Sequence, residues 1–359
     1  MNTRLRRAIG AAALGTLTLG TLAACGSSAD KSGDKKTVTL VSHESFAVSK
    51  SVQREFEKET GYKLRILTSG DAAVAVNKAV LTKGRPEGDV LFGVDNTLLS
   101  RALDNDLFTP YAAKGLDRIP EQLRQDGDKH RVTPVDTGDI CVNYDKKYFA
   151  DHKLAPPRTF VDLVKPAYKN LLVTENATTS SPGLAFLLGT VAEYGEQGWQ
   201  DYWKKLKANG VEVVDGWEQA YNDRFSGSSA GKKAHGDRPL VVSYASSPPV
   251  EVLFAKPQPK EAPTGVATGT CFRQIEFAGL LKGAPNEAGG KALLDFLISK
   301  RFQEDMPLKM FVKPVVEDAA LPELFTRFGA TADHPGTLPP DTIAKNRDPW
   351  VKTWSSLVL

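Results

Sequence analysis

From Thr37 onward strand-like and helix-like patterns alternate, and this alternation restricts the fold more than any other feature of the chain. Val38, Leu40 and Val41 form a strand signal; Val52 and Phe56 follow at helical spacing, and Gly61 stands where a helix C-terminus favours glycine. Leu64, Ile66 and Leu67 give a second strand, and Asp71 opens a helical stretch through Val74, Ala75 and Val80. Val90, Leu91, Phe92 and Val94 make a third strand, after which Asn96 can cap a helix carrying Leu98, Leu99, Ala102 and Leu103. A second series begins near Ile140, with strands predicted at 171–174, 211–214 and 240–244. Between them Ser181-Pro182 starts one helix, and Trp217, Ala220 and Tyr221 mark another. Residues 271–281 read as extended and 291–302 as helical, and the proline-rich tail ends in a helix with Trp350 and Trp354. Such alternation predicts a mostly parallel sheet covered on both faces. Two series of this size predict two α/β lobes with a cleft between them.

The N-terminus sets the compartment. Arg4, Arg6 and Arg7 precede an apolar run over 8–24 that ends in Leu22-Ala23-Ala24-Cys25. A basic segment, a short apolar segment and small residues before a cleavage point make a secretory signal, and a bilayer span needs about 20 apolar residues. The last four residues look like a bacterial lipobox, which predicts a signal over 1–24 and a lipidated Cys25; the plain alternative is a signal with an incidental cysteine. Residues 25–36 then form the lipidated cysteine and a flexible tether, GSSADKSGDKK. The chain would work outside the cytoplasm, held at a membrane, which excludes most enzymes of central metabolism. Three of its 46 Lys+Arg leave with the signal, so the remainder balances 43 Asp+Glu and nothing points to nucleic acid. Cys141 and Cys271 remain, and an oxidising compartment favours a disulfide between them over two buried free thiols.

Ligands of open α/β sheets bind beyond the carboxyl ends of the strands. Those ends read Ser42-His43-Glu44-Ser45-Phe46 and Gly93-Val94-Asp95-Asn96 in the first series. In the second they read Thr174-Glu175, Asp215-Gly216-Trp217 and Ser243-Tyr244-Ala245-Ser246. Carboxylates from one side with Trp and Tyr rings from the other suit a flat cation, since a cation–π contact is worth about 0.5–2 kcal/mol per ring. Each residue also has a plain structural reading: Asp95 as a helix cap, Trp217 as core, Glu44 as solvated surface. Ser180-Ser181-Pro182-Gly183 is a strong helix start whose free N–H groups attract phosphate or hydroxyl oxygens, although capping alone needs no ligand.

Taken in order, Glu44-Ser45-Phe46-Ala47, Gly93-Val94-Asp95-Asn96, Ser180-Ser181-Pro182-Gly183-Leu184, Gly216-Trp217-Glu218-Gln219-Ala220-Tyr221 and Ser243-Tyr244-Ala245-Ser246-Ser247-Pro248 resemble one family. It is the thiamine-binding periplasmic protein family, the solute-binding component of thiamine ABC importers. The resemblance runs from about Thr37 to the C-terminal tryptophans. It implies a two-lobed periplasmic-binding-protein fold of type II, with two crossover hinge strands near 134–139 and 274–277. Lobe 1 would comprise 37–135 plus 277–327 and lobe 2 136–276, with 328–359 a helical segment packed on both. The implied ligand is thiamine or its phosphates, and the implied partners are the ABC permease subunits and, through the lipid anchor, the membrane. The protein would be a monomer without cofactor, metal or catalysis. Asp95 and Glu44 would meet the ligand's cation or amino group, helped by Ser45, Phe46 and Asn96. Trp217, Tyr221 and Tyr244 would supply ring faces, and Ser180 and Ser181 would take the hydroxyl or phosphate end. Two positions depart from the family: Phe311 stands for a pocket tryptophan and Val250 for a tyrosine. Glu44 is also one methylene longer than the family's aspartate.

Other readings remain open at this level. Gly227-Ser228-Ser229-Ala230-Gly231 matches the G-x-S-x-G string of hydrolases, but it lies in a Gly/Ser/Lys stretch rather than between a strand and a helix. Related carriers take ferric iron or polyamines; the iron carriers resemble one another in adjacent tyrosines, which this chain lacks. Polyamine carriers also combine carboxylates with aromatics. The five histidines are scattered without metal-ligand spacing.

Overall fold

The computed structural model describes residues 36–229 and 236–359. The signal segment, Cys25, the tether through residue 35, and Ala230 and Gly231 of the hydrolase-like string lie outside the described residues.

Among the described residues ten strands form one sheet: β1 (Thr37–Ser42), β2 (Lys63–Thr68), β3 (Val90–Asp95), β4 (Phe108–Thr109), β5 (Thr133–Asp145), β6 (Leu172–Glu175), β7 (Glu212–Val214), β8 (Leu240–Tyr244), β9 (Thr264–Leu281) and β10 (Lys313–Pro314). Their order is β2-β1-β3-β9-β5-β8-β6-β7, with β4 against β9 and β10 against β5. β1 pairs in parallel with β2 and β3, and β6 pairs in parallel with β7 and β8. The sheet is nonetheless mixed, a correction to the parallel expectation, because β5 and β9 run antiparallel to each other and to their outer neighbours β8 and β3. These two long strands are paired from Thr133–Ala278 to Asp145–Thr264, and they join the half of the sheet holding β1–β3 to the half holding β6–β8. Antiparallel strands need no crossover helix, so strand and helix alternation in the sequence is silent about them.

Helices form where the sequence supplies an apolar face and an end signal. Helix Lys50–Thr60 buries Val52 and Phe56, and it stops at Gly61, whose φ of 75° suits glycine and whose N–H donates to the Glu57 carbonyl. The stretch expected as one helix over 291–302 is two, Glu287–Leu297 and Lys300–Asp305, because Ser299 is extended and caps the second through the Phe302 N–H. Asn96 does not cap helix Leu99–Asp104: the side chain facing the Thr97 and Leu98 N–H groups is Asp95, and Asn96 bonds the β9 backbone instead.

The sheet is covered on both faces. On one face Leu40, Phe56, Phe92 and Leu294 pack together; on the other Phe186, Trp203 and Trp354 are fully enclosed. Burying a side chain of this size stabilises by about 1.5–3 kcal/mol before ordering entropy is subtracted. Helix Pro340–Val358 packs on helix Ser181–Ala208 and helix Leu99–Asp104, and so touches both halves. Trp354 meets Trp203 edge-on at 5.5 Å, and Trp350 Nε1 donates to Glu196 at 3.1 Å. Trp199, Trp203, Trp350 and Trp354 are all buried, whereas Trp217 is only partly covered. Cys141 on β5 and Cys271 on β9 form a disulfide that ties the two long strands together.

Candidate ligand-binding cleft

A cleft lies beside β5 and β9, with about 450 Å³ of empty space when counted out into open solvent. His43, Ser45, Asp71 and Ala72 line it from the ends of β1 and β2; Ser181, Pro182, Trp217 and Tyr244 line it from the other half. Glu276 enters from β9 itself, and Met310 and Val312 complete the wall.

Each aromatic is held from behind. The Trp217 indole stacks on Tyr221 at 5.0 Å and 14°, and its Nε1–H donates to Ser243 Oγ at 2.9 Å. Tyr221 is fully buried and donates its hydroxyl to Glu251 Oε1 at 2.8 Å; burial, with Glu251 beside it, pushes the phenol pKa far up. Tyr244 meets Trp217 edge-on at 6.3 Å. Its ring fits because residue 138 is glycine, where a Cβ would stand 2.7 Å from a Tyr244 ring carbon.

The two sides of the cleft touch. Asp71 accepts a hydrogen bond from Ala72 N–H at its own helix start, and its other oxygen accepts the Trp217 backbone N–H at 3.0 Å. Ser45 Oγ donates to Glu218 Oε1 at 3.1 Å. Glu44, beside this contact, has its carboxyl raised by partial burial and by the negative charges of Asp71 and Glu218.

Below this contact lies a row of carboxyl groups in register. Asp95 on β3 is opposite Glu276 on β9, and Glu276 is opposite Asp136 on β5. Burial raises all three: Asp95 to about 6 despite its hydrogen bonds, Asp136 to about 7, and Glu276 well above the ordinary range. Asp95 Oδ1 accepts from Thr97 and Leu98, and Oδ2 accepts from Gln274 Nε2 at 2.9 Å. The same Gln274 nitrogen reaches Ser181 Oγ at 3.3 Å and so links Asp95 to the cleft wall. His43 Nε2 stands 3.7 Å from Glu276 Oε1; burial lowers its pKa, against the pull of Asp71. The ring's place depends on Gly93, whose φ is 92° and where a Cβ would fall 2.4 Å from His43 Cδ2.

Of the residues named from sequence, Ser45, Ser181, Trp217 and Tyr244 line the cleft; Glu44 does not line it but lies near Asp71 and Glu218. Phe46 packs instead between Phe92 and Phe302 in the core. Tyr221 lies behind Trp217, and Asp95 and Ser180 are buried behind the wall. Asn96 lines a separate groove beside Ser100 and Pro340. Phe311 has a φ of 60°, accepts Ser246 Oγ on its carbonyl at 2.6 Å and turns its ring to Phe254, while its neighbours Met310 and Val312 line the cleft. Sequence reasoning placed His43 at a strand end without giving it a role in the site, and it missed Asp71 and Glu276 as lining residues. Glu276 carried a usable signal: a carboxylate amid Ile275, Phe277 and Ala278 is a charge inside an apolar strand.

The family described as bacterial extracellular solute-binding protein matches residues 85–326, more than half of the sequence. The chain belongs to this family. The binding protein is 28% identical over 331 residues to the thiamine-binding periplasmic protein of Salmonella typhimurium, covering 90% of this chain and 94% of that one. It is 27% identical over 330 residues to the thiamine-binding periplasmic protein of Brucella suis biovar 1, covering 89% and 91%. Among solved structures it resembles a periplasmic thiamin binding protein at a TM-score of 0.75, with 25% identity and coverage of 90% and 96%. The two-lobed periplasmic-binding-protein fold of type II, with two strands crossing between the halves, is therefore the fold of this binding protein.

Proposed function

We propose that this binding protein captures thiamine between its lobes and delivers it to the permease of an ABC importer. The observation that carries the reading is the make-up of the cleft. Its two carboxyl groups, Asp71 and Glu276, face the rings of Trp217 and Tyr244. Thiamine brings a permanent thiazolium charge and a flat aminopyrimidine, which match carboxylates and ring faces respectively. Ser181 and Pro182, at the start of a long helix, suit the hydroxyethyl end. The relatives named above, similar over nearly their whole length, support the same ligand. The binding protein acts as a carrier and performs no chemistry.

In this reading residues 37–135 with 277–327 form lobe 1, and 136–276 form lobe 2. Closure is biased by the ligand's greater affinity for the closed state. Lipidation of Cys25 holds the monomer at the membrane, with residues 26–36 as the tether. Thermal melting with thiamine, thiamine phosphate, putrescine, spermidine and Fe(III) tests the assignment. A ligand at 100 times its Kd stabilises by about 2.7 kcal/mol. Thiamine should raise the melting temperature; a protein indifferent to thiamine and stabilised by a polyamine refutes the reading.

A further inference from the structure

The carboxyl row beneath the cleft does more than add negative charge. Glu276 reaches the cleft wall, and Asp136 lies directly opposite it on the neighbouring hinge strand. Both Asp136 oxygens are buried without a hydrogen-bond donor, and so is His43 Nε2, which faces Glu276. A hydrogen bond between two carboxyl groups exists only if one of them carries a proton. Two bare carboxylates in register, both out of water, would repel at close range with little screening.

The groups facing this pair are Asp95 from β3, Asp71 from the start of its helix, His43 from the turn after β1, and Tyr244 from β8. Arg347 of the C-terminal helix faces Asp95. Burial disfavours the charged form of His43 and so weakens any compensation from it.

We infer that Glu276 and Asp136 share one proton in the empty cleft and release it to solvent when the ligand's cationic ring settles against Glu276. The exchange replaces one positive charge with another, so the desolvated pair is never left unbalanced. Burial raises both groups above the ordinary carboxylate range, Asp136 to about 7, in the direction that retains the proton. The sign follows: the bound state holds fewer protons than the empty state. Affinity therefore rises with pH, about tenfold per pH unit for one released proton, and levels off once the empty pair is ionised. The inference rests on the ligand reading proposed above.

Titration calorimetry of thiamine binding, from about pH 6 to about pH 8 in phosphate and in Tris, counts the released protons from the buffer dependence of the heat. The wild-type protein should release about one proton at the acid end and progressively less toward the alkaline end. The Glu276→Gln/Asp136→Asn double variant, verified as folded by circular dichroism, should release none and bind with a flat pH profile. Protons of the ligand itself cancel in that comparison. Tight wild-type binding with no proton release and no pH dependence overturns the inference, even if the variant fails to fold. Undiminished release from the folded double variant overturns it as well. If thiamine does not bind at any pH, the ligand reading falls and takes the inference with it.

Discussion

Replacing Trp217 by alanine should weaken thiamine binding by about tenfold to a hundredfold while the protein remains folded. The indole is fixed before any ligand arrives: Tyr221 lies parallel to it at 5.0 Å, and Ser243 Oγ holds its nitrogen at 2.9 Å. A ring already locked in place adds little ordering cost on binding. Truncation removes a cation–π face worth about 0.5–2 kcal/mol. It also removes apolar contact worth roughly 1 kcal/mol. Together these come to about 1.5–3 kcal/mol, and 1.4 kcal/mol is about tenfold in Kd. The backbone N–H that reaches Asp71 survives the change, so the bond across the cleft remains available. Ser243 Oγ keeps its partner Ser247 Oγ at 2.8 Å, so no buried hydroxyl is orphaned. The indole is only partly buried, so the stability cost should fall below the roughly 3–5 kcal/mol of a core tryptophan. Calorimetric Kd values for wild type, Trp217→Ala and Trp217→Phe, beside melting curves, measure both effects; the Phe variant should be intermediate. A folded Trp217→Ala protein with wild-type affinity would remove Trp217 from the site.

Three further expectations concern the supports of the cleft. Asp71→Asn keeps the side-chain shape but loses the charge that strengthens the bond to the Trp217 N–H, so thiamine affinity should drop by roughly tenfold and small-angle scattering should show a more open particle; unchanged affinity and scattering would exclude Asp71 from closure. Tyr221→Phe removes the donor to Glu251, which keeps its two bonds from Ser229, so calorimetry should show a loss of about 1 kcal/mol in stability with Kd unchanged; a large loss of affinity would mean that Tyr221 contacts ligand. Changing both Cys141 and Cys271 to serine opens a loop closed over 130 residues, which chain entropy values at up to about 5 kcal/mol, so the melting temperature should fall by several degrees; an unchanged melting temperature would refute that entropic account.

The strands flanking β5 and β9 were legible because they are short apolar runs, as at Thr37–Ser42 and Val90–Asp95. The pair that organises the site was legible only in part: 271–281 read as extended and lies within β9, but the full length of β9 and the strand character of β5 gave no clear apolar pattern. β5 and β9 carry Asp136, Asp139, Gln274 and Glu276, and polar residues inside a strand weaken the apolar signal by which strands are recognised. Asp71 looked like a helix cap and is one; only the fold brings its second oxygen to Trp217. Asp95 shows the reverse, since a carboxylate at a strand end invites a ligand but here bonds Thr97, Leu98 and Gln274. For the aromatics, composition gives the ring and not its place. Phe46 and Tyr221 support, whereas Trp217 and Tyr244 face the cavity.

The distribution of indoles has a practical consequence. Of the five tryptophans, four are sealed in the interior, and Trp217 is left to sense the cleft. The protein thus carries its own optical probe. A change in intrinsic emission on adding a solute reports occupancy at one known position above a constant background, without dye or label.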